Sequence, residues 1–340
     1  MSKRASGQHA QRSHTQTSER NKGTQIAPVW FKMPDKAFHS ILFPVDFSVS
    51  SEATAPHVRY IAEQSGATVV LLHVIPWLSA WYSVTELRPA ILGDPDLRRL
   101  EEYAQVSLET FREKYFSGIP SHREVQSGAV AETIVDRAAS WGVDLIMMPT
   151  RGLGRSRPFL IGSTTAKVLH DAMCSVWTSP HLGDAEPGPY KNVLCTVDRD
   201  EIPRGYLEEA TRLATCFESK LNFVTAVPSY VGGTGDEHTL RHLTTEFPQA
   251  EVHQCDDPSS CSIITETGSV GDVIRKVAET HAIDLVVTNR GHLHEPSGRF
   301  LSHVYEIVLE ARCPVLSLCI HVKKHARETL EVSRAQAVGL

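Results

Sequence analysis

Most of this chain is written twice. Ile41-Leu-Phe-Pro-Val-Asp46 is answered by Asn192-Val-Leu-Cys-Thr-Val-Asp198, and the Val69–Pro76 stretch by Lys220–Pro228. Ser127-Gly-Ala-Val-Ala-Glu-Thr-Ile134 returns as Thr267-Gly-Ser-Val-Gly-Asp-Val-Ile274. Ala172-Met-Cys-Ser-Val176 returns as Ala311-Arg-Cys-Pro-Val315. A repeat of this length means two copies of one folding unit.

Each copy alternates apolar runs of strand length with helical patterns. In the first copy, 40–46 and 67–75 read as strands around a helix over 50–66. Ser50 or Ser51 caps that helix and Gly66 ends it. A helix over 96–117, a short strand at 122–126, a helix over 129–141, a strand at 143–148 and a closing strand at 174–179 follow. Strands alternating with helices require a parallel sheet covered on both faces. The expected class is α/β: two tandem doubly wound, Rossmann-like domains, each a five-stranded parallel sheet with helices on both faces. The boundaries expected are 37–181 for domain 1, a Gly/Pro linker at 182–190 and 191–322 for a more degenerate domain 2. Residues 1–36 read as a disordered polar tail and 323–340 as a charged tail.

The net charge of −6 gives no drive toward nucleic acid or anionic membrane. No apolar stretch approaches a membrane span, and the N-terminus has no signal-peptide core. The seven cysteines are odd in number and make no Cys-x-x-Cys. That pattern reads as reduced thiols in a cytoplasm, with Cys174 and Cys313 packed at the start of strands. His238 with His242, and His292 with His294, lack the further ligands a metal site needs. Trp77, Trp81 and Tyr82 read as packing residues in a long connection.

The chemistry concentrates in Pro149-Thr-Arg-Gly-Leu-Gly-Arg-Ser-Arg-Pro-Phe-Leu-Ile-Gly-Ser163. An apolar strand precedes it and a helix follows. The first N–H groups of a helix have no partner within it, and the dipole favours negative charge there, so the end of this loop suits a phosphate. Gly152 and Gly162 allow close backbone approach. Ser163 and Thr164 offer hydroxyls, and Arg151, Arg155 and Arg157 add positive charge.

Gly152, nine residues, then Gly162-Ser163 resembles the end of the nucleotide motif of the universal stress protein family, Gly-x2-Gly-x9-Gly-Ser/Thr. Pro44-Val-Asp46, Leu72-His-Val74, Asp144-Leu-Ile and Cys174-Ser-Val carry the resemblance across residues 38–322. It implies a stress-response type regulatory protein with an ATP site, Mg2+ accompanying the nucleotide. That site comprises Pro44, Asp46, Val74, Gly152, Gly162, Ser163 and Thr164. Asp46 and Val74 lie toward the adenosine, and the glycines with Ser163 and Thr164 toward the phosphates. Family members commonly pair as dimers. A tandem chain forms that pair internally, and a homodimer of whole chains stays open.

The motif has one fault. Its first Gly falls on Pro149, which has no N–H to offer. In the second copy Gly291 and Ser302 stand for Gly152 and Ser163, Thr288 for the first Gly and Leu301 for the third. A side chain at Leu301 fills space a phosphate needs. Asp198 is retained. Domain 2 is therefore expected to be a structural partner. A scaffold without nucleotide and a slow ATPase are the rival readings. No Gly-x-Ser-x-Gly elbow or Walker lysine motif is present.

Overall fold

The computed structural model describes residues 36–76, 94–150, 161–179, 187–197, 204–227, 245, 251–253, 262–290 and 299–320. In chain order the first half comprises β1 (Ser40–Pro44), α1 (Val49–Ser65), β2 (Thr68–Pro76), α2 (Asp94–Phe116), β3 (Ser121–Gly128), α3 (Val130–Ser140), β4 (Leu145–Pro149), α4 (Ser163–Asp171) and β5 (Ser175–Ser179). The second half comprises β6 (Asn192–Thr196), α5 (Arg204–Cys216), β7 (Lys220–Val227), β8 (Glu251–His253), β9 (Ser262–Thr267), α6 (Val270–Thr280), β10 (Leu285–Asn289), α7 (Arg299–Glu310) and β11 (Val315–Leu318).

All eleven strands form one sheet, in the order β3-β2-β1-β4-β5-β11-β10-β6-β7-β9-β8. The first five strands are parallel, as expected. The second half carries a sixth: β8 pairs in parallel outside β9, through Val252 opposite Ile263. At three residues it had too little periodicity to be read from the sequence. The halves join where β5 and β11 run antiparallel, with Trp177 opposite Leu316. Each strand covers an edge the other would leave unpaired. The internal pairing is thus a continuous sheet.

β4 and β5 are buried at every position, because helices cover both faces of the sheet. One face packs Phe43, Val58, Trp177, Tyr190, Leu213 and Phe223 together. The other packs Leu42, Ile134, Val168, Ile274, Val286 and Ile307. Each layer draws residues from both halves, so the halves share two cores.

α1 begins one turn position earlier than its serines suggested. Ser48, not Ser50 or Ser51, is the N-cap, and its hydroxyl accepts from Ser51 N at 3.2 Å. Ser51 has its own partner in Asp46, which draws the cap upstream. Gly66 ends the helix as expected, at φ 58°.

One device is repeated in both halves. Asp144 accepts from His39 N at 2.8 Å and Ser40 N at 3.1 Å, and Asp284 accepts from Lys191 N and Asn192 N, both at 2.8 Å. Each carboxylate ties the residue before an inner strand to the start of its neighbour.

These anchors also correct the alignment of the copies. Asp144 matches Asp284, Pro149 faces Ser179 on β5, and Asn289 faces Leu318 on β11. The counterpart of Pro149 is therefore Asn289, not Thr288, and that of Thr150 is Arg290. The missing residue of the second copy lies in the loop after β10 and not in the strand.

Residues 1–35 and 323–340, Trp77, Trp81, Tyr82, Asp198, His238, His242, His292 and His294 lie outside the described residues. Lys36, the last residue of the expected N-terminal tail, is instead fastened to the domain, its Nζ donating to Gly66 O at 3.0 Å. Cys174, Cys195, Cys216, Cys313 and Cys319 are free thiols, and burial pushes those of Cys174 and Cys313 up to about 12. Among the described residues no helix is long and apolar enough to cross a membrane. None of their His, Cys, Asp or Glu side chains gather in threes as a metal would need.

Candidate functional site

The strand order reverses direction between β1 and β4, since the chain builds outward from β1 through β2 and β3, then returns to add β4 and β5. Such a switch point opens a crevice at the carboxyl ends of the strands. Here the opening begins early. Pairing of β1 with β4 ends at Leu42 opposite Ile146, although β1 runs to Pro44 and β4 to Pro149.

α4 starts beside that crevice. Gly162 N donates to Thr150 O at 2.9 Å, which ties the entry of α4 to the end of β4. Thr165, in the first turn, donates its hydroxyl to Pro149 O at 3.0 Å. These two bonds fasten the helix start to the strand end. Gly162 is the N-cap, with φ −60° and ψ 145°, and provides no side-chain cap. The contrast with α1 and α6 is direct: Ser48 and Ser269 accept from the first-turn N–H groups there. Ser163 is exposed and Thr164 half-buried. The start of α4 thus keeps open the donors that an anion would take.

Pro149 is buried at the end of β4. Successive N–H groups along a strand point to opposite neighbours. Thr150 N donates to Ser179 O on β5 at 2.9 Å, so the nitrogen of residue 149 faces β1 and the crevice. Proline therefore offers no backbone donor on that side at the end of β4.

Asp46 lies just past β1, half-buried. Its Oδ1 accepts from Ser48 N at 3.0 Å and from Ser51 Oγ at 2.6 Å. The carboxylate therefore orders the turn into α1, the role of an aspartate at a turn. Among the described residues Oδ2 accepts nothing. The next residue, Phe47, is held at φ 60° with its ring 4.6 Å from that of His73. His73 is itself bonded through Nδ1 to Val45 O at 2.7 Å. Pro44 is half-buried opposite Leu72. Val74 is buried in the same layer as Val168 of α4. Gly152 lies outside the described residues, as do Arg151, Arg155 and Arg157. Pro44 and Asp46 lie at the carboxyl end of β1, Val74 near that of β2, and Gly162, Ser163 and Thr164 at the start of α4.

The second half closes the matching crevice. β6 and β10 pair one step further, to Cys195 opposite Val287. Thr196 then bonds Thr288, hydroxyl to hydroxyl, at 3.0 Å. Tyr206, fully buried, donates its hydroxyl to Val287 O at 2.9 Å.

Sequence reasoning missed three contributors. Thr150 and Thr165 give no local signal, because their partners are backbone carbonyls. Arg290 was hidden by the one-residue slip in aligning the copies. Counting forward from Asp144 and Asp284 would have placed it opposite Thr150.

A model of the universal stress protein family matches residues 37–180 and again 189–318. A universal stress protein of Thermus aquaticus is 30% identical over 145 residues, which is 41% of this chain and 96% of that protein. One from Methanocaldococcus jannaschii is 27% identical over 145 residues, 39% of this chain and 88% of that protein. Each relative is one repeat long. The crystal structure of a universal stress protein from Archaeoglobus fulgidus superposes with a TM-score of 0.62 at 18% identity, covering 83% of this chain and 96% of that one, which places the fold. With the family matched over both halves and the sheet built on its plan, this chain belongs to the universal stress protein family and carries two of its domains in tandem.

Proposed function

We propose that the first half binds an adenine nucleotide, ATP with its Mg2+, in a regulatory role of the stress-response type. The second half serves as a partner that does not bind. The observation that carries this reading is the start of α4: a helix N-terminus at the switch point, with glycine as its N-cap and no side chain in its place. Ser163 and Thr164 would hold phosphate oxygens through backbone and hydroxyl. Asp46 Oδ2, Pro44 and Val74 would line the adenosine end. The nucleotide brings the negative charge, and the residues of this chain bind and orient it.

The second crevice supports the division of labour. It has the Thr196–Thr288 bridge and the Tyr206 hydroxyl at this point, where the first half has Pro44 and Met148 and no hydroxyl pair to bridge the strands.

The test is mass spectrometry of small molecules released on denaturation, followed by calorimetry with Mg-ATP on wild type and Gly162→Leu. Binding by wild type that the variant loses supports the reading. A protein that releases no nucleotide, and whose melting temperature does not move in millimolar Mg-ATP, overturns it in favour of a scaffold. A ligand at 100 times its Kd would add about 2.7 kcal/mol, a shift too large to miss. Phosphate release above the Gly162→Leu background would instead mark a slow ATPase.

A further inference from the structure

α4 is only nine residues long. A helix so short has little stability of its own and depends on what holds its ends. Its C-terminus has no glycine cap: Ala172 there has φ −65° and ψ 137°, and its N–H donates to Val168 O. Two more carbonyls at this end, those of Leu169 and Ala172, are met from the opposite half of the chain. Arg290, just beyond β10, sends Nη1 to Leu169 O at 2.7 Å. Its Nη2 donates to Ala172 O and to Cys174 O, the latter at 2.7 Å. The side chain is only 5% exposed. Its three partners are all carbonyls, and no carboxylate among the described residues pairs with it. Burying a guanidinium in this way is costly, and the negative end of the α4 dipole is what compensates.

The clamp runs in one direction. Thr150 holds the position of Arg290 in the first half, and its hydroxyl turns back to Ser179 O in its own half. It does not reach α7. Two separate asymmetries therefore fall on the same helix. α4 starts on Gly162, where α7, which begins earlier at Arg299, already has Leu301 within the helix, and among the described residues α4 alone is clamped at its far end by the other half.

We infer that Arg290 is a positioning residue for the first-half site. It holds α4 from its C-terminus so that the N–H groups of Ser163 and Thr164 stay aimed at phosphate. The second half is then a working part of the first half's site and more than a packing partner. This inference rests on the nucleotide reading above.

The experiment is calorimetry with ATP and, separately, adenosine on the full chain as wild type, Arg290→Met and Arg290→Lys. Arg290→Met should weaken ATP about tenfold, the cost of losing a charged hydrogen-bonding group. Adenosine reaches Asp46 and Val74 rather than α4, so its affinity should hold within about twofold. Arg290→Lys keeps the charge without the fork and should recover part of the ATP loss. Amide hydrogen exchange should rise across Ser163–Asp171 in Arg290→Met, and less across α3. Where Arg290→Met folds poorly, Arg290→Lys carries the test. Equal weakening of ATP and adenosine would reduce Arg290 to a general structural role and overturn the inference. So would unchanged ATP affinity in both variants with wild type binding, which leaves the proposed function standing. A wild type that binds neither ligand would overturn both.

Discussion

Tyr305 donates its hydroxyl to the carbonyl of Ala166 at 2.7 Å, and Ala166 is Tyr305's own counterpart in the first copy. The match follows from the helix ends, where Ala172 N bonds Val168 O as Ala311 N bonds Ile307 O. A residue that touches its counterpart lies on the axis relating the two halves. In a pair of identical chains both partners at that axis would be the same residue. Joining the domains in one chain frees the two sides to differ, and Tyr305 with Ala166 is the result. Tyr305→Phe should cost about 1 kcal/mol, a net neutral hydrogen bond, and leave the sheet joined. Urea unfolding checks the magnitude, and a loss several times larger would show that the hydroxyl supports more than this contact.

Pro149→Gly should tighten ATP binding about tenfold, because it returns a donor that faces the crevice. It should lower stability by about 0.5–1 kcal/mol, since the unfolded chain gains freedom. Calorimetry and urea unfolding separate the two effects. Unchanged affinity would mean that the ligand does not reach the end of β4.

Asp46 has two duties, and two substitutions divide them. Asp46→Asn keeps an oxygen to accept from Ser48 N and Ser51 Oγ but removes the charge. Asp46→Ala removes both and should cost about 1–2 kcal/mol of stability, as the loss of a helix-start acceptor does. Nucleotide affinity should fall in both variants if the charge meets the ligand. If only Asp46→Ala loses affinity, the residue acts through the turn alone.

Alkaline pH should weaken the fold through Cys313. Burial, with Asp284 adding to it, pushes this thiol from its ordinary 9.0 up to about 12. The folded state favours the protonated thiol, so this contribution is whole below pH 9 and is lost as pH rises toward about 12. Between about pH 8 and about pH 10.5 the loss from this group should be roughly 2 kcal/mol. Urea midpoints of wild type and Cys313→Ala at the two pH values measure it. Equal losses in both proteins would assign the alkaline sensitivity elsewhere.

The repeat, the alternation of strands with helices and the strand–glycine–helix unit of the candidate site were all legible in the residues. These are local properties. Apolar spacing reports which way residues face, Gly66 can end a helix where a left-handed residue is needed, and Gly162 marks a start without a side chain. Pro149 could be read as a lost donor for the same reason. That this donor faces β1 came from the assembled sheet, because it depends on which strands flank β4. The assembled chain also decided that β5 and β11 join two sheets into one, that Thr196 and Thr288 close the second crevice, and that Asp46 first serves its own turn. Arg290 belongs with these. It meets carbonyls more than a hundred residues away in the chain, and no local pattern records a contact whose partners are backbone oxygens common to every residue.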